Sequence, residues 1–140
     1  MSETQHFSAA DGTRIAWRAM GEGRPVLLLH GFCSDAQTNW IKYGATKTLV
    51  EAGFRCIMPD HRAHGESEKP HDPAFYPPDI LADDAMALAD ALGLTDYDLV
   101  GYSLGARVGW EVVQDIPVRI PRAVLGGVPD GIPLARLDMD

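Results

Sequence analysis

The residues with the clearest chemical meaning are Gly101-Tyr102-Ser103-Leu104-Gly105, which form a Gly-x-Ser-x-Gly motif. The apolar residues before the motif predict a strand, and the apolar spacing after it predicts a helix. A serine at such a sharp strand-to-helix turn projects its hydroxyl away from the backbone, and Gly101 and Gly105 leave room for the turn. Free N–H groups at the start of the helix stabilise negative charge nearby. The motif therefore predicts that Ser103 is a nucleophile.

A second motif, His30-Gly31-Phe32, directly follows a continuous apolar run at residues 25–29. Such a run is typical of a strand buried on both faces of a sheet. Open α/β sheets bind ligands in the loops at the carboxyl ends of these strands. Gly31 would let the backbone approach a ligand, so that the N–H of Phe32 faces a substrate oxygen. The alternative is an ordinary strand-to-loop turn with a hydrogen-bonded histidine.

The segment 60–67 (DHRAHGES) follows another predicted strand and is rich in charged residues. Ion pairs and hydrogen bonds to the backbone, which would fix a loop, explain these residues better than catalysis does. His61 and His64 have a spacing that suits metal ligands, but no second cluster supplies the remaining ligands. No metal site is therefore expected.

Together these motifs resemble the α/β-hydrolase superfamily, in the family's order and over about residues 5–130. The resemblance rests on His30-Gly31-Phe32, on the Asp-x-Arg-x-x-Gly-x-Ser pattern of residues 60–67, and on residues 101–105. It implies Ser103 as nucleophile and the N–H groups of Phe32 and Leu104 as the oxyanion hole. No cofactor is expected. Relatives with Asp at this turn open epoxides or displace halide. Serine at position 103 resembles instead the hydrolases of esters, thioesters, amides or C–C bonds.

The acid and the base of a catalytic triad are not found where the family has them. The family's chain order is serine, then an acid, then a histidine. A serine hydroxyl is a weak nucleophile until a base removes its proton, and a third group orients that base. All five histidines precede Ser103. Asp130 is a candidate acid and His30 a candidate base, and the chain resembles the N-terminal half of an α/β-hydrolase.

The elements that position these motifs predict an α/β fold with a mostly parallel sheet of about six strands and helices on both faces. The predicted strands are residues 5–9, 14–20, 25–29, 54–58, 98–102 and 123–128, of which the first two form a hairpin. The predicted helices are residues 38–52, 79–91 and 103–114, with Asp79 as an N-cap. We expect one domain over residues 1–140, a truncated α/β-hydrolase fold with residues 123–128 at an exposed sheet edge.

Composition and charge exclude several other classes of protein. The chain has 140 residues, of which 46% are hydrophobic and 23% charged, as in globular domains. Its net charge of −8 disfavours nucleic acids and anionic membranes as partners, because both require a cationic face. No apolar run is long enough for a transmembrane helix, and the first residues do not resemble a secretory signal. Two isolated cysteines favour a reducing, cytoplasmic location.

The sequence therefore favours a serine hydrolase that cleaves a small acyl-type substrate through an acyl-enzyme on Ser103. One alternative is a catalytically incomplete half-length module that acts in binding or association. It would pair with itself or with a partner chain at the sheet edge 123–128, where unpaired backbone groups are exposed. Another alternative is a small-molecule binder in the cleft between the His30 and Ser103 loops.

Overall fold

The fold is built around one six-stranded β-sheet. The structure, a computed structural model, describes residues 3–127. The strands are β1 (Gln5–Ser8), β2 (Arg14–Met20), β3 (Arg24–Leu29), β4 (Phe54–Pro59), β5 (Asp98–Tyr102) and β6 (Ala123–Gly126). Their order across the sheet is β1-β2-β4-β3-β5-β6. All six predicted strands are present; residue 128, the end of the last one predicted, lies outside the described residues.

The sheet begins antiparallel and continues parallel, as predicted. β2 pairs antiparallel with both β1 and β4, whereas β4, β3, β5 and β6 pair parallel with their neighbours. β6 forms the edge of the described sheet next to β5. Because parallel strands end at the same side of a sheet, the loops after β3, β4 and β5 meet there.

Helices cover both faces of the sheet. They are α1 (Ala45–Glu51), α2 (Ile80–Ala91) and α3 (Leu104–Asp115). Under α2 and α3, one core contains Leu27, Leu29, Ile57 and Leu99. Under α1 and the turn before it, a second core contains Val26, Leu28, Cys56 and Met58. Alternate side chains of β3 thus supply both cores, and each buried leucine contributes about 1.5–3 kcal/mol. No helix in residues 3–127 is long and apolar enough to cross a membrane.

The prediction of one helix at residues 38–52 is wrong, because two separate helical segments occupy this region. Gln37–Ile41 is π-helical, and α1 begins only at Ala45. Gly44 separates them with a φ of 93°, which ends the first turn in a conformation that glycine favours. π-Helical turns often occur at functional sites. Here the turn holds Asn39 against the loop that follows β3.

Asp79 precedes α2 as predicted, but it does not cap the helix. Its φ is 66°, and its side chain makes no cap hydrogen bond. A side-chain cap requires an extended backbone at this position, which the left-handed conformation of Asp79 excludes.

Candidate active site

Ser103 lies in the single-residue turn between β5 and α3. Its φ is 55° and its ψ is −113°, a backbone conformation that residues other than glycine rarely adopt. Such a residue costs about 1–3 kcal/mol and persists only where its surroundings hold it. The Ser103 N–H donates to the carbonyl of Gly126 in β6 (2.9 Å), and its carbonyl accepts from Ala106 N–H (2.9 Å). Strand β6 and helix α3 therefore hold the turn on both sides.

The two glycines of the motif allow the helix to approach the sheet. A Cβ atom on Gly105 would overlap the carbonyl of Leu29 at the end of β3. A Cβ atom on Gly101 would overlap the carbonyl of Gly105. Side chains at either position would therefore push the start of α3 away from β3 and β5. The glycines set the position of Ser103 relative to the neighbouring loop.

The loop after β3 passes directly beside Ser103. A Cβ atom built on Gly31 would lie 3.5 Å from the Cβ of Ser103. The Gly31 N–H donates to Asn39 Oδ1 at 2.7 Å, which fixes this loop. Among residues 3–127, no hydrogen-bond acceptor is found for the N–H groups of Phe32 and Leu104. Both groups are therefore available at the strand ends, where the sequence predicts an oxyanion hole.

His30 is buried and supports the backbone rather than facing Ser103. Its Nδ1 donates to the carbonyl of Gly31 (2.7 Å), and its Nε2 accepts from the N–H of His61 (3.0 Å). The His61 ring in turn donates to the carbonyl of His30 (2.9 Å). Burial lowers the pKa of His30 and lowers that of His61 to about 3. With both ring nitrogens occupied, His30 is not placed to act as the base for Ser103.

The segment 60–67 is a structural loop, consistent with the sequence interpretation. The Asp60 carboxylate accepts from the N–H groups of Ala36 (2.8 Å) and Glu66 (2.9 Å). Arg62 is fully buried, donates two hydrogen bonds to Asp84 and also pairs with Asp11. No group of side chains in residues 3–127 could hold a metal ion.

A cavity of about 430 Å³ opens beside the turn at Ser103. Its walls come from Phe32, from the loop after β4, from the segment before α2 and from one face of α3. Sequence reasoning missed the polar residues of this cavity, Tyr76, Asp79, Arg107 and Glu111. The available signal was the spacing of Leu104, Arg107 and Glu111, which places them on one side of a helix.

Among the described residues, no histidine forms a hydrogen bond with the Ser103 side chain. No histidine follows Ser103 in the sequence. Asp130, the candidate acid, lies outside the described residues. The site thus presents a strained serine, two free N–H groups and a cavity, while the His30 ring is engaged elsewhere and no histidine follows Ser103.

Comparison with known proteins identifies the family. The family model described as "alpha/beta hydrolase fold" matches residues 24–138. An epoxide hydrolase from Caballeronia sordidicola is 34% identical over 118 residues, which are 84% of this chain and 35% of that protein. A non-heme haloperoxidase from Rhodococcus erythropolis is 33% identical over 148 residues, 94% of this chain and 50% of that protein.

Solved structures give the same result. The crystal structure of an epoxide hydrolase from Vigna radiata is similar with a TM-score of 0.78 and 31% identity. The similarity covers 87% of this chain and 37% of that chain. The chain thus spans half or less of the length of each of these relatives. On the family match and the shared fold, the chain belongs to the alpha/beta hydrolase fold family.

Proposed function

We propose that this chain carries the nucleophile part of a serine hydrolase that acts through an acyl-enzyme on Ser103. The observation that supports the proposal most is the strained backbone of Ser103 at the turn between β5 and α3. The Ser103 hydroxyl would attack a substrate carbonyl carbon. The N–H groups of Phe32 and Leu104 would donate to the oxyanion that forms. The substrate would be an ester, a thioester, an amide or a ketone whose C–C bond is cleaved.

The chemistry of serine favours acyl transfer over epoxide opening, although two of the relatives described above are epoxide hydrolases. A carboxylate that opens an epoxide forms an ester, which water can hydrolyse to release the enzyme. A serine that opened an epoxide would form an ether, which water does not cleave at a useful rate. Ser103 would be blocked after one turnover, whereas an acyl-serine is an ester and can be released.

We propose that the catalytic histidine comes from polypeptide outside these 140 residues. Both ring nitrogens of His30 are occupied, and the sequence has no histidine after Ser103. The family relatives are at least twice as long as the part that this chain matches. Asp130 stays a candidate for the acid. The oxyanion hole and binding alone would support only weak residual catalysis.

A serine-directed fluorophosphonate and p-nitrophenyl acetate test the nucleophile, each with and without added imidazole. Free imidazole can act as an external base for Ser103. We expect imidazole to accelerate labelling of Ser103 and ester hydrolysis. In any form of the protein that turns over the ester, Ser103→Ala should lower the serine-dependent rate by about 10³-fold or more.

Ser8→Ala is the matched control, because Ser8 is exposed on β1, far from the site along the sheet. This variant should keep both labelling and ester hydrolysis. Labelling at a serine other than Ser103 would contradict the proposal. Ester hydrolysis that Ser103→Ala leaves unchanged would contradict it as well.

A further inference from the structure

The peptide unit that joins His30 to Gly31 is held at both of its polar groups. Its carbonyl accepts a hydrogen bond from the His61 ring at 2.9 Å, and its N–H donates to Asn39 Oδ1 at 2.7 Å. This unit lies beside Ser103, because a Cβ atom on Gly31 would be 3.5 Å from the Cβ of Ser103. Side chains from two different segments of the chain therefore set its orientation.

The next peptide unit, from Gly31 to Phe32, is held at its carbonyl and open at its N–H. The carbonyl accepts from His30 Nδ1 at 2.7 Å and from the Ser34 N–H at 3.3 Å. In a planar trans peptide the N–H points away from the carbonyl, so these bonds direct the Phe32 N–H to the opposite side. Of the four polar groups in the two units, only this N–H has no acceptor among residues 3–127.

The turn that carries Asn39 is fixed to the core. Trp40, its neighbour in the π-helical turn, is buried in the core beneath α1. The Asn39 N–H donates to the carbonyl of Asp35 at 3.0 Å. In the Asn39 side chain, only Oδ1 has a hydrogen-bond partner among the described residues, and that partner is the Gly31 N–H. The side chain thus connects a fixed turn to the loop after β3.

Resting on the function proposed above, we propose that Asn39 is a positioning residue for the oxyanion hole. Gly31 has no Cβ atom to restrict rotation about its backbone bonds, so hydrogen bonds must hold the peptide units on both sides of it. Asn39 holds the first unit, and the bonds to the Gly31 carbonyl hold the second. The Phe32 N–H then needs no reorganisation when negative charge develops on the substrate oxygen. Asn39 acts through Gly31 rather than on the substrate.

Labelling of Ser103 by a fluorophosphonate in the presence of imidazole tests this role, because its concentration dependence separates reversible binding from the chemical step. Asn39→Leu keeps the size of the side chain but leaves the Gly31 N–H unpaired. We expect the rate constant of the chemical step to fall about 10–100-fold, because a displacement of about 1 Å at a reacting centre can cost this much. The constant for reversible binding should change by less than about twofold, since the oxyanion hole acts in the transition state.

Two further variants separate positioning from folding. Asn39→Asp also keeps the size of the side chain and retains an acceptor at the same place, so its rate constant should return to within about fivefold of the parent. The remaining loss would come from its negative charge near the developing oxyanion. Gln37→Leu is the matched control and should behave as the parent. Gln37 lies in the same turn, but it is exposed and accepts from Arg18 at 2.9 Å instead of contacting the loop.

Failure of the nucleophile and failure of the positioning role give different results. If Ser103 of the parent is not labelled even with imidazole, the proposed function is overturned and this role with it. A labelled parent whose Asn39→Leu variant reacts at the parental rate would overturn the role of Asn39 alone. So would equal losses in Asn39→Leu and Asn39→Asp, because the loss would then come from disturbance of the turn and not from the missing acceptor.

Discussion

Ala63 has a backbone conformation that glycine adopts more readily than alanine. Its φ is 69°, in the loop that follows β4, and its N–H donates to the carbonyl of Glu68 at 2.9 Å. For a residue with a Cβ atom this left-handed conformation costs about 1–2 kcal/mol. The surrounding hydrogen bonds of Asp60 and Arg62 hold the loop in this shape. The wall of the cavity at Ala63 is therefore strained.

Replacing Ala63 by glycine should stabilise the protein. The substitution removes the strain of the left-handed conformation, but it adds backbone freedom to the unfolded chain, which offsets part of the gain. We expect the free energy of unfolding to increase by about 0.5–1 kcal/mol, measured by urea denaturation.

Ala74→Gly is the control for this substitution. Ala74 is exposed in a short turn and does not have a positive φ. Glycine relieves no strain there, so this variant should be less stable than the parent. If both variants lose stability to the same extent, the strain assigned to Ala63 is wrong.

At the scale of elements, the loops after β3 and β4 are joined by two buried histidines. His30 and His61 exchange hydrogen bonds between ring and backbone, and their ring centroids are 4.3 Å apart. Burial lowers the pKa of both, that of His61 to about 3. Both rings are therefore neutral in the folded protein at pH values where they bind protons in the unfolded chain.

This pair should make stability depend on pH in acid. Unfolded histidine has a pKa of about 6.5, so stability is complete above that pH and falls as the unfolded chain takes up protons below it. For His61 the loss should continue toward pH 3, with a slope of about 1.4 kcal/mol per pH unit. Urea denaturation at a series of pH values measures the slope.

His61→Gln should flatten this dependence, because glutamine keeps a side-chain N–H donor but does not titrate. His71→Gln, which changes an exposed histidine, is the matched control. The slope, rather than the absolute stability, is the quantity to compare, since His61→Gln also alters packing. If the parent, His61→Gln and His71→Gln all show the same slope, the histidine pair is not the cause of the pH dependence of stability.

The elements that sequence reasoning predicted well are those with a strong local pattern. β3 is a continuous apolar run, and the turn at Ser103 needs glycines on both sides, so both were visible in the sequence. The division of the helix at residues 38–52 was not visible. Gly44 offers a break, but a glycine inside an apolar pattern does not by itself show whether the helix continues.

The cavity could not be predicted, because it depends on contacts between distant elements. Asp79 and Glu111 are 32 positions apart in the sequence and line the same cavity only because α2 packs against α3. Asp79 also matched the pattern of an N-cap, so the sequence did not indicate that it lines the cavity. The buried state of His30 likewise depends on His61, a residue of a different loop.

At the scale of the whole molecule, β6 leaves apolar surface uncovered. Val124 is 64% exposed and lies on the α1 side of the sheet, where it lines a groove of about 200 Å³ with Val26, Leu49, Phe54 and Val100. α1 packs over β3 and β4, and no helix among the described residues covers β5 and β6 on this side. Within residues 3–127 no strand pairs with the outer edge of β6, and the backbone groups of such an edge can pair with another strand.

We propose that the 140-residue chain associates with itself through β6 and this groove. Light scattering across a range of concentrations should show species larger than the monomer. Val124→Lys should weaken the association, because a charge among the residues that line the groove opposes burial of the apolar face. Val118→Lys is the matched control, since Val118 is 93% exposed but lies in the turn before β6 rather than on the strand. A chain that stays monomeric at all concentrations, or association that both variants reduce equally, would contradict the assignment of β6 as the contact.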